Sequence, residues 1–111
     1  MIPTRKVIKQ QLKGDTFNGV RFTLSPATDL TGASIKTQFR KASKKGDVEK
    51  ELSIGSGITV ESASEGIFVW DAFIMDFPVA TYYYDVEITF SDGKVKTYVE
   101  GIIEVTQDTS F

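Results

Sequence analysis

The sequence contains no cysteine and no histidine, and each absence removes a class of chemistry. Without cysteine, the chain forms neither a disulfide framework nor a thiolate metal site. Without histidine, it lacks the usual base of Ser-His-Asp and Cys-His catalysis and the commonest imidazole metal ligand. The remaining candidates for catalysis are carboxylates, and these are scattered along the chain. The sequence therefore predicts no catalytic residues, no metal site and no cofactor, and it predicts that the protein is not an enzyme.

Long apolar runs and a strong excess of one charge are also missing. The apolar stretches are far shorter than the roughly 20 residues of a membrane-spanning helix, and residues 1–6 lack the apolar segment of a signal peptide. Thirteen basic and fifteen acidic residues give a formal net charge of -2, which provides no general attraction for nucleic acid. We therefore expect no membrane and no nucleic-acid partner, and a protein kept in the cytoplasm until it is assembled or released.

What is present is the composition of one folded domain. The chain has 111 residues, of which 41% are hydrophobic and 25% charged. That length fits a single domain spanning residues 1–111, because two domains would each be too small to bury a useful core. The aromatic content is mainly phenylalanine and tyrosine, with a single tryptophan.

Apolar residues alternate with polar ones over most of the chain, and Gly, Asp, Ser or Pro interrupts them roughly every 8–12 residues. This spacing predicts an all-β fold, an immunoglobulin-like antiparallel β-sandwich of about seven to nine strands. A short turn at 72–78 is expected to plug one end of the sandwich with Phe73 and Phe77. The predicted strands are 4–12, 17–24, 35–40, 51–54, 58–61, 67–71 and the two arms of a hairpin at 82–105.

The hairpin is the strongest local signal, because two alternating runs meet at Asp92-Gly93. This dipeptide fits a two-residue type I′ turn. Such a turn places Phe90 opposite Val95 and Val86 opposite Val99, with one apolar face toward the core. A three-residue turn with a glycine bulge would shift these pairs, and the sequence leaves that alternative open.

The outer face of the predicted hairpin carries the candidate functional residues. Tyr83 and Ile102 fall opposite each other near its open end, beside Tyr98, and these three side chains form a possible partner surface. The alternative is that a loop or the first strand covers them. Asp85 and Glu100 are also opposed, and like charges there repel. Solvent or a neighbouring lysine is expected to offset the repulsion, since two carboxylates supply too few ligands for Ca²⁺.

The single tryptophan, Trp70, defines an alternative function. Its strand is apolar on both sides, because Trp70 and Phe68 share one face while Ile67 and Val69 share the other. An outward Trp70 would stack on a sugar ring, which makes a carbohydrate-binding module the alternative; the other outcome is a tryptophan in the core.

Several short motifs follow one another in a distinctive order between residues 13 and 106. They are Lys13-Gly14-Asp15-Thr16-Phe17, Asp29-Leu30-Thr31-Gly32-Ala33-Ser34-Ile35-Lys36-Thr37-Gln38-Phe39-Arg40, Gly57-Ile58-Thr59-Val60, Gly66-Ile67-Phe68-Val69, Tyr82-Tyr83-Tyr84-Asp85, and Asp92-Gly93 with Gly101 after it. This order resembles the amino-terminal domain of phage baseplate upper proteins and related phage tail or prophage structural proteins.

The resemblance implies an immunoglobulin-like sandwich that docks onto other virion proteins, usually in several copies, and it supplies no catalytic residues. We therefore expect a structural module of a baseplate, tail or other decoration of the virion, present in the host cytoplasm before assembly. A homo-oligomer, trimer or hexamer, is expected, with the first strand and residues 108–111 available for pairing with a neighbour. In larger members further segments lead to a receptor-binding part, whereas this chain stops at Phe111, which favours an adaptor. An adhesin-like bacterial domain is a third possibility.

Overall fold

The computed structural model describes residues 4–43 and 45–107, with residues 4–10 described by their backbone alone. All regular structure in this part of the chain is β. These residues therefore include no helix that is long and apolar enough to cross a bilayer. Residues 108–111 and Lys44 lie outside the described residues. The ten described strands are β1 (Thr4–Leu12), β2 (Thr16–Phe17), β3 (Val20–Thr23), β4 (Ser34–Lys41), β5 (Val48–Ile54), β6 (Gly57–Ser62), β7 (Ile67–Trp70), β8 (Phe73–Ile74), β9 (Ala80–Thr89) and β10 (Val95–Thr106).

Eight of these strands form one sheet in the order β1-β10-β9-β4-β5-β6-β7-β3, and β2 pairs with β8 in a small second sheet. The large sheet curls over on itself. The indole of Trp70 on β7 reaches Thr37 on β4 and lies edge-on to Tyr84 on β9, although neither of those strands neighbours β7 in the sheet. The result is a sandwich-like fold with β4, β9, β10 and β1 in one layer and β6, β7 and β3 in the other.

The predicted all-β sandwich is therefore confirmed, with two differences. The sheet is mixed rather than antiparallel, because β1 runs parallel to β10 and β5 runs parallel to β6. Side-chain alternation has the same period in both kinds of pair, so the sequence pattern does not encode strand direction. The described part also has ten strands rather than seven to nine, because predicted strand 17–24 is divided and the 72–78 segment contributes β8.

The division of strand 17–24 has a steric cause at Gly19. Gly19 has φ of +84°, a conformation that L side chains rarely adopt. A Cβ at this position would collide with the backbone carbonyl oxygen of Trp70. The left-handed conformation of Gly19 therefore separates β2 from β3, and Phe17 leaves the large sheet to pair with Phe73.

The core is dominated by aromatic side chains, with Phe39 at its centre. Its ring centroid lies 5.4 Å from that of Trp70, 5.4 Å from that of Phe77 and 5.9 Å from that of Tyr84. Tilted and edge-on rings at this spacing stabilise each other beyond the burial of their area. In the 72–78 segment Phe77 is buried and the partly buried Phe73 stacks on it, but Phe73 and Ile74 form strand β8 instead of part of a turn.

Candidate functional site

The turn of the β9–β10 hairpin differs from the predicted two-residue turn. The Phe90 N–H donates to the Lys94 carbonyl oxygen over 2.8 Å, which leaves a loop of three residues, Ser91, Asp92 and Gly93. Gly93 has φ of +89°, as a glycine bulge requires. The alternative turn is thus the one observed, and it pairs Val95 with Thr89 instead of Phe90.

A second irregularity restores the predicted register further along the hairpin. The pairing shifts again between Thr97 and Val99, where Tyr98 is the extra residue. From Val99 onward the two one-residue offsets cancel. The predicted pairs of Asp85 with Glu100 and of Tyr83 with Ile102 are therefore confirmed.

Tyr98 is placed away from the other two predicted surface residues. Its ring is partly buried against the core and lies 6.3 Å from that of Phe90 in an edge-on arrangement. The cause is the extra residue in the turn, which pairs Lys96 with the inward-facing Ile88. The residues of β10 that precede the bulge therefore lie on the opposite face from the predicted one. The prediction that Tyr98 lies beside Tyr83 and Ile102 is wrong.

Tyr83 and Ile102 themselves lie together on a continuous surface of the sheet. On β4, Arg40 pairs with Tyr83, and Gln38 pairs with Asp85, which faces Glu100 on β10. All of these side chains are half-buried. We call this surface the outer face, and its residues are Gln38, Arg40, Tyr83, Asp85, Glu100 and Ile102.

Hydrogen bonds fix the β4 part of the outer face. The Arg40 guanidinium donates to the Gln38 side-chain oxygen over 2.7 Å and to the Gly46 carbonyl oxygen over 2.9 Å. The Gln38 side-chain amide in turn donates to a Glu51 carboxylate oxygen over 3.2 Å. The guanidinium is thereby held in one orientation next to Tyr83.

The electrostatics of the outer face centre on Asp85. Partial burial raises the pKa of the Asp85 carboxyl, and the negative charge of Glu87 adds to the effect. A hydrogen bond with the Gln38 backbone and the positive charges of Lys36 and Arg40 act in the opposite direction. The carboxylate whose charge acts on Asp85 is therefore Glu87 and not the Glu100 that the sequence pairing suggested, and the cations Lys36 and Arg40 on β4 partly offset it.

The shape of the outer face suits contact with a surface more than enclosure of a ligand. The depression between Arg40, Tyr83 and Asp85 has a volume of only about 80 Å³, room for a few water molecules. Across the residues that the structure describes, no three His, Cys, Asp or Glu side chains are grouped so that they could hold a metal ion. What the arrangement offers is a flat, half-exposed mixture of aromatic, aliphatic and charged groups.

Trp70 lies in the core and does not present its ring outward. It is 1% exposed, and its indole N–H donates to the Thr37 hydroxyl oxygen over 3.1 Å. A tryptophan enclosed in this way has no face available for a sugar, so the ligand-stacking role considered for Trp70 is wrong. The cause is the curl of the sheet, which brings β7 over β4.

No protein-family model and no curated protein matches this sequence. A solved structure, "Drosophila OTK, extracellular domains 3-5", matches 97% of this chain with 15% sequence identity and a TM-score of 0.35. This chain spans 34% of that chain. Such a weak likeness supports no statement about function.

Proposed function

We propose that this chain is a non-enzymatic structural or docking module of a bacteriophage or prophage virion, in its baseplate, tail or decoration. In this proposal copies of the chain form a trimer or hexamer through the outer face, and the assembled module docks onto other proteins of the particle. The assignment to a virion rests on the order of motifs between residues 13 and 106. The docking role rests on the outer face.

The observation that carries the docking role is the half-exposed pair of Tyr83 and Ile102, next to the fixed guanidinium of Arg40. Tyrosine and arginine are enriched in protein–protein interfaces, where they combine apolar area with directed hydrogen bonds. Asp85 and Glu100 lie in the next row and add negative charge. A partner surface with an apolar centre and basic residues beside it would complement this arrangement.

The experiment is size-exclusion chromatography with light scattering over a range of protein concentrations. It compares the natural protein with Ile102→Lys, which places a charge within the apolar pair of the outer face. Ile74→Lys is the matched control, because Ile74 is 56% exposed on β8, outside the outer face. Circular dichroism of all three proteins verifies the fold.

The proposal predicts a discrete trimer or hexamer for the natural protein and for Ile74→Lys. Ile102→Lys is expected to dissociate, because burying an unpaired ammonium in an interface costs several kcal/mol. A folded Ile102→Lys that remains fully assembled would exclude the outer face as the interface. A natural protein that is monomeric at every concentration would contradict self-assembly.

A further inference from the structure

A second surface lies at the turn end of the hairpin, where β9 and β10 meet the connection between β3 and β4. A cleft of about 370 Å³ opens there, within the range of roughly 300–1,000 Å³ that is usual for small-ligand sites. A Cβ on Gly32 would lie 3.3 Å from Ser91 Cβ, so the connection and the hairpin loop abut at this end. We call this surface the end cleft. It is lined by Ser25, Pro26, Thr28, Asp29, Phe90, Lys94, Lys96 and Tyr98.

The end cleft has an aromatic side. Phe90 and Tyr98 are both partly buried against the core, and their rings meet edge-on with centroids 6.3 Å apart. Packing against the core fixes the rings in place while part of their surface still lines the cleft. A fixed, partly exposed aromatic side chain binds the apolar C–H face of a sugar ring at little cost in conformational entropy.

The end cleft also carries oxygen atoms suited to hydroxyl groups. Ser25 and Thr28 contribute hydroxyls, and the Thr28 hydroxyl already donates to the Pro26 carbonyl oxygen, so it accepts from a ligand. Asp29 is held by the backbone N–H and the hydroxyl of Thr31, both of which donate to Oδ1 over 2.9 and 2.7 Å. These bonds lower the pKa of the Asp29 carboxyl, which keeps it ionised as a hydrogen-bond acceptor.

Two lysines, Lys94 and Lys96, add positive charge to the end cleft, which also contains the Asp29 carboxylate. Lys94 lies 3.9 Å from its own loop neighbour Asp92, a loose ion pair between exposed groups. Lys96 lines the same cleft two residues from Tyr98. An ammonium group beside a partly exposed ring fits a ligand that has a carboxylate attached to a flat apolar face.

We propose that the end cleft binds a saccharide unit that carries a carboxylate, such as a hexuronate. The sugar ring lies on Tyr98, its carboxylate contacts Lys96, and its hydroxyls donate to Asp29 and Thr28 and exchange hydrogen bonds with Ser25. This site is separate from the outer face, so it holds or fails independently of the docking proposal.

The test is an NMR titration of the ¹⁵N-labelled protein with sodium glucuronate. Two probes separate the contributions: glucose has the ring without the charge, and acetate has the charge without the ring. The proposal predicts saturable shifts of the backbone amides at residues 25–29 and 90–98 with glucuronate. Glucose is expected to bind several-fold more weakly, and acetate to give no saturable shift, because each lacks one of the two contacts.

Two variants sharpen the test. Lys96→Gln removes the positive charge at an exposed position without disturbing the core. It should abolish the preference for glucuronate over glucose. Tyr98→Ala should weaken glucuronate binding by about tenfold. Lys36→Gln, a lysine on β4 outside the end cleft, is the matched control and should leave binding unchanged. Ile102→Lys should also leave it unchanged.

Three results would overturn the proposal. The first is the absence of saturable shifts at the end cleft throughout a millimolar titration with glucuronate. The second is equal binding of acetate, which would mean a site for anions in general. The third is tighter binding of adenosine monophosphate than of glucuronate to the same residues, which would identify a nucleotide site instead. Loss of Lys96 with no change in the preference for glucuronate would exclude its assigned role.

Discussion

The two faces of β4 differ in what fixes them. The inner face carries Phe39, which is fully buried among aromatic rings. One residue away, Gln38 on the outer face is held by hydrogen bonds to Arg40 and Glu51 at partly accessible positions. Burial of aromatic area determines the fold, whereas the outer polar network mainly determines which groups the surface presents. Changes on the two faces should therefore have different consequences.

The largest contrast is expected between adjacent residues of β4. Phe39→Ala removes the central ring and leaves a cavity, which should lower the free energy of unfolding by about 3–5 kcal/mol. Gln38→Ala should lower it by less than about 1 kcal/mol, because its hydrogen bonds compete with water. Urea denaturation of both variants gives the two values. Similar losses for both would contradict the proposed division between the faces.

A smaller effect is expected from Thr37, the one buried polar residue among the described non-aromatic side chains. Thr37→Val keeps the volume but removes the acceptor of the Trp70 indole N–H, which should cost about 1–3 kcal/mol. Thr37→Ser keeps the acceptor and removes only a methyl group.

Thermodynamics alone does not distinguish these two variants, so NMR supplies the readout. Trp70 is the single tryptophan, and its indole N–H gives one assignable signal. We expect that signal to shift, and its hydrogen exchange to accelerate, in Thr37→Val and to stay close to that of the natural protein in Thr37→Ser. An unchanged signal in Thr37→Val would mean that the hydrogen bond contributes nothing.

The inner face of β4 was predictable from sequence because alternation is a local property. Period-two alternation along strand 35–40 places Ile35, Thr37 and Phe39 on one side, and all three are buried. The burial of the Trp70 side chain was not predictable in the same way. Its strand is apolar on both sides, so only the curl of the sheet over β4 decides that the ring faces inward.

The outer face was only partly predictable, for two physical reasons. The pairing of Tyr83 with Ile102 follows from the hairpin, although its register is right because the turn and the bulge at Tyr98 offset each other. Asp-Gly is compatible with turns of two or three residues. The local sequence therefore predicts neither the longer turn nor the bulge at Tyr98. Arg40 was missed because it reaches Tyr83 through the non-local pairing of β4 with β9, which periodicity does not define.

The end cleft was missed for a related reason. Its lining comes from two connections that are distant in sequence, and Lys96 and Tyr98 face it only because the three-residue turn moves them to the inner side of β10. A sequence with a two-residue turn would present both side chains on the outer face.

The smallest expected effect concerns the charge on the outer face. The pKa of Asp85 is raised above its ordinary value near 3.8, chiefly by burial, so the folded protein binds a proton there more tightly than the unfolded chain. Protonation of Asp85 therefore stabilises the folded state most at pH values below the ordinary pKa. This stabilisation is lost as the pH rises through the raised pKa.

Asp85→Asn removes the ionisation and keeps the shape of the side chain. At neutral pH the variant should be more stable than the natural protein by about 0.5 kcal/mol, a small gain because the carboxyl is half exposed and screened. The gain should disappear below the ordinary pKa of the carboxyl, which denaturation at a series of pH values would reveal. Glu104→Gln, an exposed position on the same layer, is the control. A gain that persists unchanged in acid would show that the effect comes from packing rather than from charge.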